Sequence, residues 1–514
     1  MDSAEWWRDA VIYEVYPRSF ADSTGDGTGD LPGLTQRLPY LRDLGVDAVW
    51  LTPFYRSPMI DGGYDVADHR DVNPLFGTLA DFDDLRSRAH ELGLRLIVDL
   101  VPNHSSAAHP WFVEALAAAP GSAARERYVF RPGQGRDGHL PPNDWESVFG
   151  GLAWERVPDG EWYLHLFDVS QPDFNWRHPE VRAEFESIVR YWLDRGVDGF
   201  RVDVAHGLIK AEGLPDVGYA DQMRLRSRAV LPYWDQDDIH EIFRSWRVIL
   251  DGYPGERMAV AEAWVSPPTR LCRYVAADEF HQAFNFDFLT APWSAAAYRE
   301  VVDECLAASA TVGATTTWVL SNHDVRRHRT RLGGDLARAR AATLMMLALP
   351  GSAYLYQGEE LGLPEVLDLP DEVRHDPEFR RSGGRLLGRD GSRVPLPWSG
   401  TAPPFGFTTA PAAWLPAPPS WLDLTVEAQE ADPASTLSFY RAALRLRRKY
   451  AGGTLTWHDA APDTLHFTGR GGLRCVINLG TTPVPLPRGY PDPLLTSNGR
   501  RTDGMLPPDT TAWF

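Results

Sequence analysis

A (β/α)₈ barrel is the fold the sequence predicts, on three observations. Eight short runs of β-branched, aromatic and aliphatic residues recur along the chain, most of them continuously apolar, and helical stretches lie between them. Continuous apolar runs suit parallel strands covered on both faces, and strand–helix alternation is the pattern of βαβ units. Eight such units make a TIM barrel.

The runs fall at residues 11–16 (VIYEVY), 48–52 (AVWLT), 95–101 (RLIVDLV), 199–204 (GFRVDV), 258–264 (MAVAEAW), 283–288 (AFNFDF), 316–321 (TTWVLS) and 352–356 (SAYLY). Residues 81–93 (DFDDLRSRAHELG), acidic early and ending in glycine, read as one connecting helix, and 179–195 as another. Two segments break the rhythm. The Gly-, Pro- and Trp-rich stretch after the third strand is too long for a βα loop and predicts a small inserted domain. After a helix-like segment at 435–450, short alternating runs such as TLHFTG and LRCVINLG predict a C-terminal antiparallel β domain. The expected organisation is therefore a barrel over 1–104 and 173–450, an insert over 105–172 and a β domain over 451–514. The Pro-rich stretch at 395–420 reads as a surface excursion of the barrel.

Composition narrows the partners. The chain has 514 residues, 43% hydrophobic and 24% charged, which supports a sizeable core. A formal net charge of −19, with 51 basic against 70 acidic residues and no basic patch, argues against nucleic acid and anionic membranes. Cys272, Cys305 and Cys475 lie far apart without CxxC spacing, which argues against a disulfide framework and for a reducing compartment. No basic segment leads into an apolar run at the N-terminus, and no stretch of about 18 apolar residues occurs, so the expected location is the cytoplasm. The sequence selects no oligomeric state. Nineteen Trp, 18 Tyr and 22 Phe offer flat surfaces of the kind on which sugars stack.

Polar residues that close barrel strands face the active site. On the fourth strand Arg201 and Asp203 are two apart and point to one side, so the arginine should favour an ionised carboxylate, as a carboxylate nucleophile needs. A structural ion pair is the alternative. On the fifth, Glu262 sits between Ala261 and Ala263 with no adjacent cation, a setting that raises a carboxyl pKa and keeps an acid catalyst protonated. A carboxyl bonded to backbone is the alternative there. The third strand ends in DLVPNH, with Asp99, Asn103 and His104, and the seventh in SNHD, with His323 and Asp324. No HxH or HExxH spacing occurs, so a catalytic metal is not expected.

In chain order DLVPNH, GFRVDVAH, AEAW and SNHD resemble the four sequence regions of the α-amylase family of glycoside hydrolases, and QPDFNW resembles the fifth region of its oligosaccharide-acting α-glucosidases. The resemblance runs from Trp6 to about Tyr450. It implies that Asp203 is the nucleophile, Glu262 the proton donor and Asp324 a carboxylate binding the hydroxyls of a distorted sugar, with Arg201, His104 and His323 around them. It further implies that Tyr64 and Asp65 of DGGYDVADHR hold the non-reducing end of glucose, that Arg389 pairs with that carboxylate, and that Phe149, Phe167 and Gln171 line the pocket. The function implied is a retaining exo-acting α-glucosidase on short α-glucosides. Transfer of glucose to another acceptor, or a trehalose-synthase-like isomerisation, would use the same intermediate; a non-catalytic relative is disfavoured because all three carboxylates are present.

The loop from Asp22 to Asp30 alternates oxygen donors with glycines, and Asp22, Thr24, Asp26, Thr28 and Asp30 are candidate ligands for a structural Ca²⁺ or Mg²⁺. It resembles the cation loop of the oligo-1,6-glucosidase group, with Thr24 where that group usually carries Asn. The alternative is a Gly-rich turn whose aspartates cap its own backbone. No cofactor is expected for catalysis. The separate Ca²⁺ site of α-amylases is not expected, His206 standing where they usually carry Lys.

Overall fold

The computed structural model describes residues 5–225, 228–499 and 504–514. The first four residues of the barrel segment, and 500–503 of the C-terminal segment, lie outside the described residues.

Eight strands form, but the sixth covers only Gln282–Ala283, and the expected run 283–288 departs from it where Phe286–Thr290 becomes a short helix capped by Asn285. The eight are β1 (Val11–Val15), β2 (Ala48–Leu51), β3 (Arg95–Leu100), β4 (Gly199–Val202), β5 (Met258–Ala261), β6 (Gln282–Ala283), β7 (Thr317–Val319) and β8 (Ser352–Tyr356). Each pairs in parallel with its neighbour, in the order β6-β5-β4-β3-β2-β1-β8-β7. Backbone ladders do not join β6 to β7. Thr317 Oγ1 instead donates to Ala283 O at 2.5 Å across that gap. Helices α1 (Leu31–Leu44), α2 (Leu79–Glu91), α3 (Pro179–Asp194), α4 (Ile239–Asp251), α5 (Ala295–Val312), α6 (Leu336–Ala348) and α7 (Thr436–Arg447) follow strands in turn, while only short helical turns join β5 to β6. The helix expected from 81 begins two residues earlier because Thr78 and Asp81 form a reciprocal capping box.

Strand parity decides what the barrel interior contains. Val11, Tyr13 and Val15, Val49 and Leu51, Leu96, Val98 and Leu100, and Phe200 and Val202 pack outward under the helices. Ile12, Trp50, Ile97, Met258 and Val260 fill the interior. Continuing the inward parity towards the strand C-termini brings Glu14, Asp99, Arg201, Asp203 and Glu262 to the C-terminal end of the barrel interior. In cross-strand register Arg201 is opposite Asp99 on one side and the interior Val260 on the other, so the charged groups are staggered against the apolar plug.

After β3 the chain forms a three-stranded antiparallel sheet with Glu161–Leu164 between Phe130–Pro132 and Trp154–Arg156. Its Trp145, Trp154 and Trp162 pack with Leu231, Tyr233 and Trp234 from the long β4–α4 connection, an excursion the sequence reading did not single out. Lys210 of that connection pins the seam. Its ammonium meets Asn103 Oδ1 at 3.0 Å, Asp173 Oδ2 at 2.8 Å and the Gly207 carbonyl, all buried. Lys210→Met leaves Asp173 desolvated without its counter-charge, so a loss of about 3–5 kcal/mol is expected in urea unfolding. An unchanged midpoint would remove Lys210 from that role.

Beyond α7, the C-terminal segment forms a five-stranded antiparallel sheet that docks on α6, with Trp513 Nε1 donating to Leu344 O at 3.0 Å. No helix among the described residues is long and apolar enough to cross a membrane.

Candidate active site

A pocket of about 180 Å³ opens at the C-terminal end of the barrel. Asp61, Tyr64, His104, Phe149, Phe167, Asp203, Glu262, Asp324 and Arg389 line it, joined by Val148, Val204, Met223, Trp264 and Glu378. The three carboxylates singled out in the sequence thus meet in one cavity.

Arg201 lies beneath the pocket, only 2% exposed, and organises its floor. Its Nη1 meets Asp203 Oδ1 at 2.5 Å and Asp99 Oδ1 at 2.9 Å, and its Nη2 lies 3.8 Å from Glu262 Oε2. Glu262 therefore does have a nearby cation, contrary to the local sequence reading. The backbone that follows Asp203 turns sharply: Val204 adopts φ +44°, and its N–H donates to Glu262 Oε2 at 2.7 Å. A left-handed conformation at a β-branched residue costs on the order of 1–3 kcal/mol, and here it ties the two carboxyl groups together.

The electrostatics of Asp203 differ from the simple pairing expected. Burial pushes its pKa well above the ordinary carboxylate value; Arg201 pulls it down, while Glu262, Asp99 and Asp324 push it up again. Asp99, raised to about 6 by burial against the pull of Arg201, shares the same guanidinium. Several carboxyl groups thus compete for one cation, and their titration belongs to the cluster. A carboxylate so destabilised is more basic and gains more from a positively charged reaction centre. A reaction that requires ionised Asp203 loses rate as pH falls through its raised pKa, so the acid limb of kcat/KM should lie above the ordinary value of about 3.9. A limb at or below that value, measured on an uncharged substrate, would contradict this arrangement.

Asp324 is poised oppositely. Burial alone would raise it, but His323, Arg389, Arg393 and Arg201 hold it well below the carboxylate range. Its Oδ1 accepts from Arg389 Nη1 at 2.9 Å and Arg393 Nη2 at 3.1 Å, and its Oδ2 lies 3.1 Å from His323 Nε2. His323 is fully buried, bonds Glu14 Oε1 through Nδ1 at 2.5 Å and stacks on Tyr64 with centroids 5.1 Å apart. Burial drives the imidazole pKa far below its usual value, while the Asp324 carboxylate pulls it the other way. Tyr64 OH donates to Asp99 Oδ2 at 2.9 Å.

One expectation needs correction. Arg389 pairs not with Asp65 but with Asp61, Nη2 to Oδ1, at 2.6 Å. Asp65 is fully buried and spends its oxygens on Ser57 Oγ and on the N–H groups of Ile60 and Asp61. Gly62 and Gly63, at φ +59° and +107°, turn the chain between the two aspartates and reverse which one faces the cavity. Arg389 also meets Asp376 at 2.5 Å, so one guanidinium spans three carboxylates and forms a wall of the pocket. Phe149 lies 5.1 Å from that guanidinium and 5.8 Å from Phe167. Gln171 does not line the cavity; its Nε2 reaches Asp61 Oδ2 at 3.0 Å and lies 3.1 Å from His104 Nε2, steadying both. Asp61, Asp376, Arg393, Glu378, Met223 and Trp264 were not singled out as site residues in the sequence. Asp61 had a signal, the double glycine, and Trp264 closes the fifth apolar run two residues after Glu262; the others come from irregular connections with no local pattern.

The candidate cation loop lies on the β1–α1 connection. Asp22 accepts N–H bonds from Thr24 at 2.9 Å, Gly25 at 2.7 Å and Gly27 at 2.8 Å, and Asp26 accepts one from Thr28 at 2.8 Å. Asp30 caps α1 through Gly33 N at 2.6 Å and holds Ser23. Burial opposes ionisation of Asp22, but bonds from Thr408, Gly27 and Gly25 hold it below its ordinary pKa, as a metal ligand would need. The other carboxylates serve the turn itself. Among the described residues no group of three or more His, Cys, Asp or Glu side chains is gathered to hold a metal.

Comparison with known proteins agrees with this geometry. The family model "Alpha amylase, catalytic domain" matches residues 14–455, and a domain of unknown function, DUF3459, matches 451–513. A probable alpha-glucosidase of Rhizobium meliloti (strain 1021) is 38% identical over 95% of this chain and 92% of its own length. An oligo-1,6-glucosidase of Parageobacillus thermoglucosidasius is 36% identical over 87% of this chain and 84% of its own. Among solved structures, an alpha-glucosyl transfer enzyme superimposes with a TM-score of 0.89 at 37% identity, covering 99% of this chain and 100% of that one.

Proposed function

The chain belongs to the α-amylase family of glycoside hydrolases, and from that premise we propose that it is a retaining, exo-acting α-glucosidase of short α-glucosides such as maltose, isomaltose and aryl α-glucosides. The observation that carries this reading is the Arg389 bridge from Asp61 to Asp324, which bounds the pocket holding Asp203 and Glu262. A wall of charge-assisted hydrogen-bond groups suits the hydroxyls of a terminal glucose and leaves no passage for further sugars on that side.

In this reading Asp203 attacks the anomeric carbon while Glu262 protonates the departing oxygen, giving a β-glucosyl ester on Asp203. Water, deprotonated by Glu262, then releases α-glucose. Asp324 and Asp61 bind sugar hydroxyls, and His104 adds a further hydrogen-bonding group. Arg201 and His323 act from beneath, positioning Asp203 and Asp324.

Chain-end action is tested with reduced and unreduced maltotriose. Glucose released from the non-reducing end of both supports it, and internal cleavage of long dextrins at comparable rates would defeat it. Transfer in place of hydrolysis is the second reading, supported by the likeness to an alpha-glucosyl transfer enzyme. At high maltose it would yield trehalose, or trisaccharide approaching one mole per mole of free glucose, whereas hydrolysis yields glucose alone.

The unpaired, buried thiols of Cys272, Cys305 and Cys475 support placement in the cytoplasm. A structural Ca²⁺ or Mg²⁺ is proposed for the 22–30 loop, whose aspartates also cap its own backbone. Ca²⁺ or Mg²⁺ binding there, as the family resemblance implies, would be revealed by a melting temperature that rises with the ion and falls with a chelator.

A further inference from the structure

Glu14, the fourth residue of β1, is a buried carboxyl group that the mechanism above leaves without a task. Its Oε1 lies 2.5 Å from His323 Nδ1 and accepts from the His323 backbone N–H at 3.3 Å. The other ring nitrogen, Nε2, lies 3.1 Å from Asp324 Oδ2. One imidazole thus stands between two carboxyl groups, and the second of them lines the catalytic pocket.

Packing fixes the ring but not its protons. Tyr64 stacks on it at 5.1 Å, Tyr16 lies nearly parallel at 6.2 Å, and Trp50 meets it edge-on at 6.1 Å. Which nitrogen carries hydrogen is decided by what each one faces. Nε2 faces a carboxylate that Arg389 and Arg393 keep ionised, where an N–H attracts and a bare lone pair repels. With that proton placed, the short contact at Nδ1 needs one more, carried either by Glu14 or by the imidazole. Burial pushes Glu14 well above the ordinary carboxylate pKa; Arg201 pulls it down, while Asp324 and Asp99 push it up again. Burial depresses His323 against the pull of Asp324. Both directions leave the proton on Glu14.

We propose that Glu14 is a positioning residue, a neutral carboxylic acid that donates its O–H to His323 Nδ1, locks the imidazole as the Nε2–H tautomer and so steadies Asp324 for the sugar. The role rests on the α-glucosidase reading above. An ionised Glu14 beside a neutral ring would draw the ring proton to Nδ1 and turn the Nε2 lone pair on Asp324.

Glu14→Gln and Glu14→Met separate this role from packing. Both keep the length of the side chain, and only glutamine keeps a donor for Nδ1. For maltose, kcat/KM should stay within a few-fold of wild type in Glu14→Gln. In Glu14→Met it should fall by about 10–100-fold, the scale of a lost hydrogen bond beside a charged group. Near-wild-type rates in both variants would reduce Glu14 to packing, and equal losses in both would show that its charge is what matters; either result overturns the proposal. The proton itself is read by infrared difference spectroscopy, wild type minus Glu14→Gln, in which one carbonyl band of a protonated carboxyl should be lost at neutral pH. Loss of an ionised-carboxylate band instead places the proton on His323 and overturns the assignment. Should Glu14→Met fail to fold, the rate and the spectrum of Glu14→Gln still decide. A wild-type protein that cleaves no α-glucoside defeats the glucosidase reading, whereas an active wild type with any of the contrary results defeats the role of Glu14 alone.

Discussion

Asp203→Ala is expected to lower kcat by on the order of 10⁵–10⁶-fold, the scale seen when a covalent nucleophile is removed. The folded state should survive. Burial and the charges of Glu262, Asp99 and Asp324 all oppose ionisation of Asp203, so its removal relieves an unfavourable interaction that the fold otherwise tolerates for catalysis. Thermal unfolding should therefore occur at the wild-type temperature or above it, and Arg201 keeps Asp99 as a partner at 2.9 Å. Azide supplied to the variant should enter from the vacated side and give β-glucosyl azide. An Asp203→Ala enzyme with appreciable turnover, on protein shown free of wild-type contamination, would remove Asp203 from the reaction.

Glu262→Ala should produce a loss that depends on the leaving group, which separates an acid from a structural carboxylate. Methyl α-glucoside and maltose depart as poor leaving groups and should slow by about 10³–10⁴-fold, near the upper range of general acid catalysis. The 4-nitrophenyl glucoside needs little protonation, so its first step should be nearly spared and the intermediate should accumulate. Azide then attacks the glucosyl ester from the opposite face and gives α-glucosyl azide. A uniform loss across substrates would instead assign Glu262 to holding the Val204 N–H and the turn after Asp203.

What the sequence made legible was whatever depends on local periodicity. Apolar runs marked seven of the eight strands and touched the sixth only at Ala283, and strand parity placed Asp99, Arg201, Asp203 and Glu262 together because inward and outward residues alternate. What it hid depends on contacts distant in the chain. Asp61 and Asp65 flank the same Gly-Gly-Tyr, and only the turn geometry of the glycines decides which of them reaches Arg389, more than 300 residues away. Local reading also gave Asp203 a single partner, whereas the fold gathers Asp99 and Glu262 on the same guanidinium and reverses the expected direction of its pKa. Lys210, one lysine in an irregular connection, carries no pattern that announces a buried cage of three oxygens. The 22–30 loop is ambiguous in another way: aspartate–glycine alternation serves a metal and a self-capped turn equally well.

The double displacement through Asp203 and Glu262 is tested most directly by the anomer first released from maltose or an aryl α-glucoside, followed by proton NMR before mutarotation. Two inversions predict α-glucose as the initial product, with β-glucose growing only at the rate of mutarotation. Initial release of β-glucose would mean a single displacement by water, and Asp203 would then not carry a covalent glucosyl group.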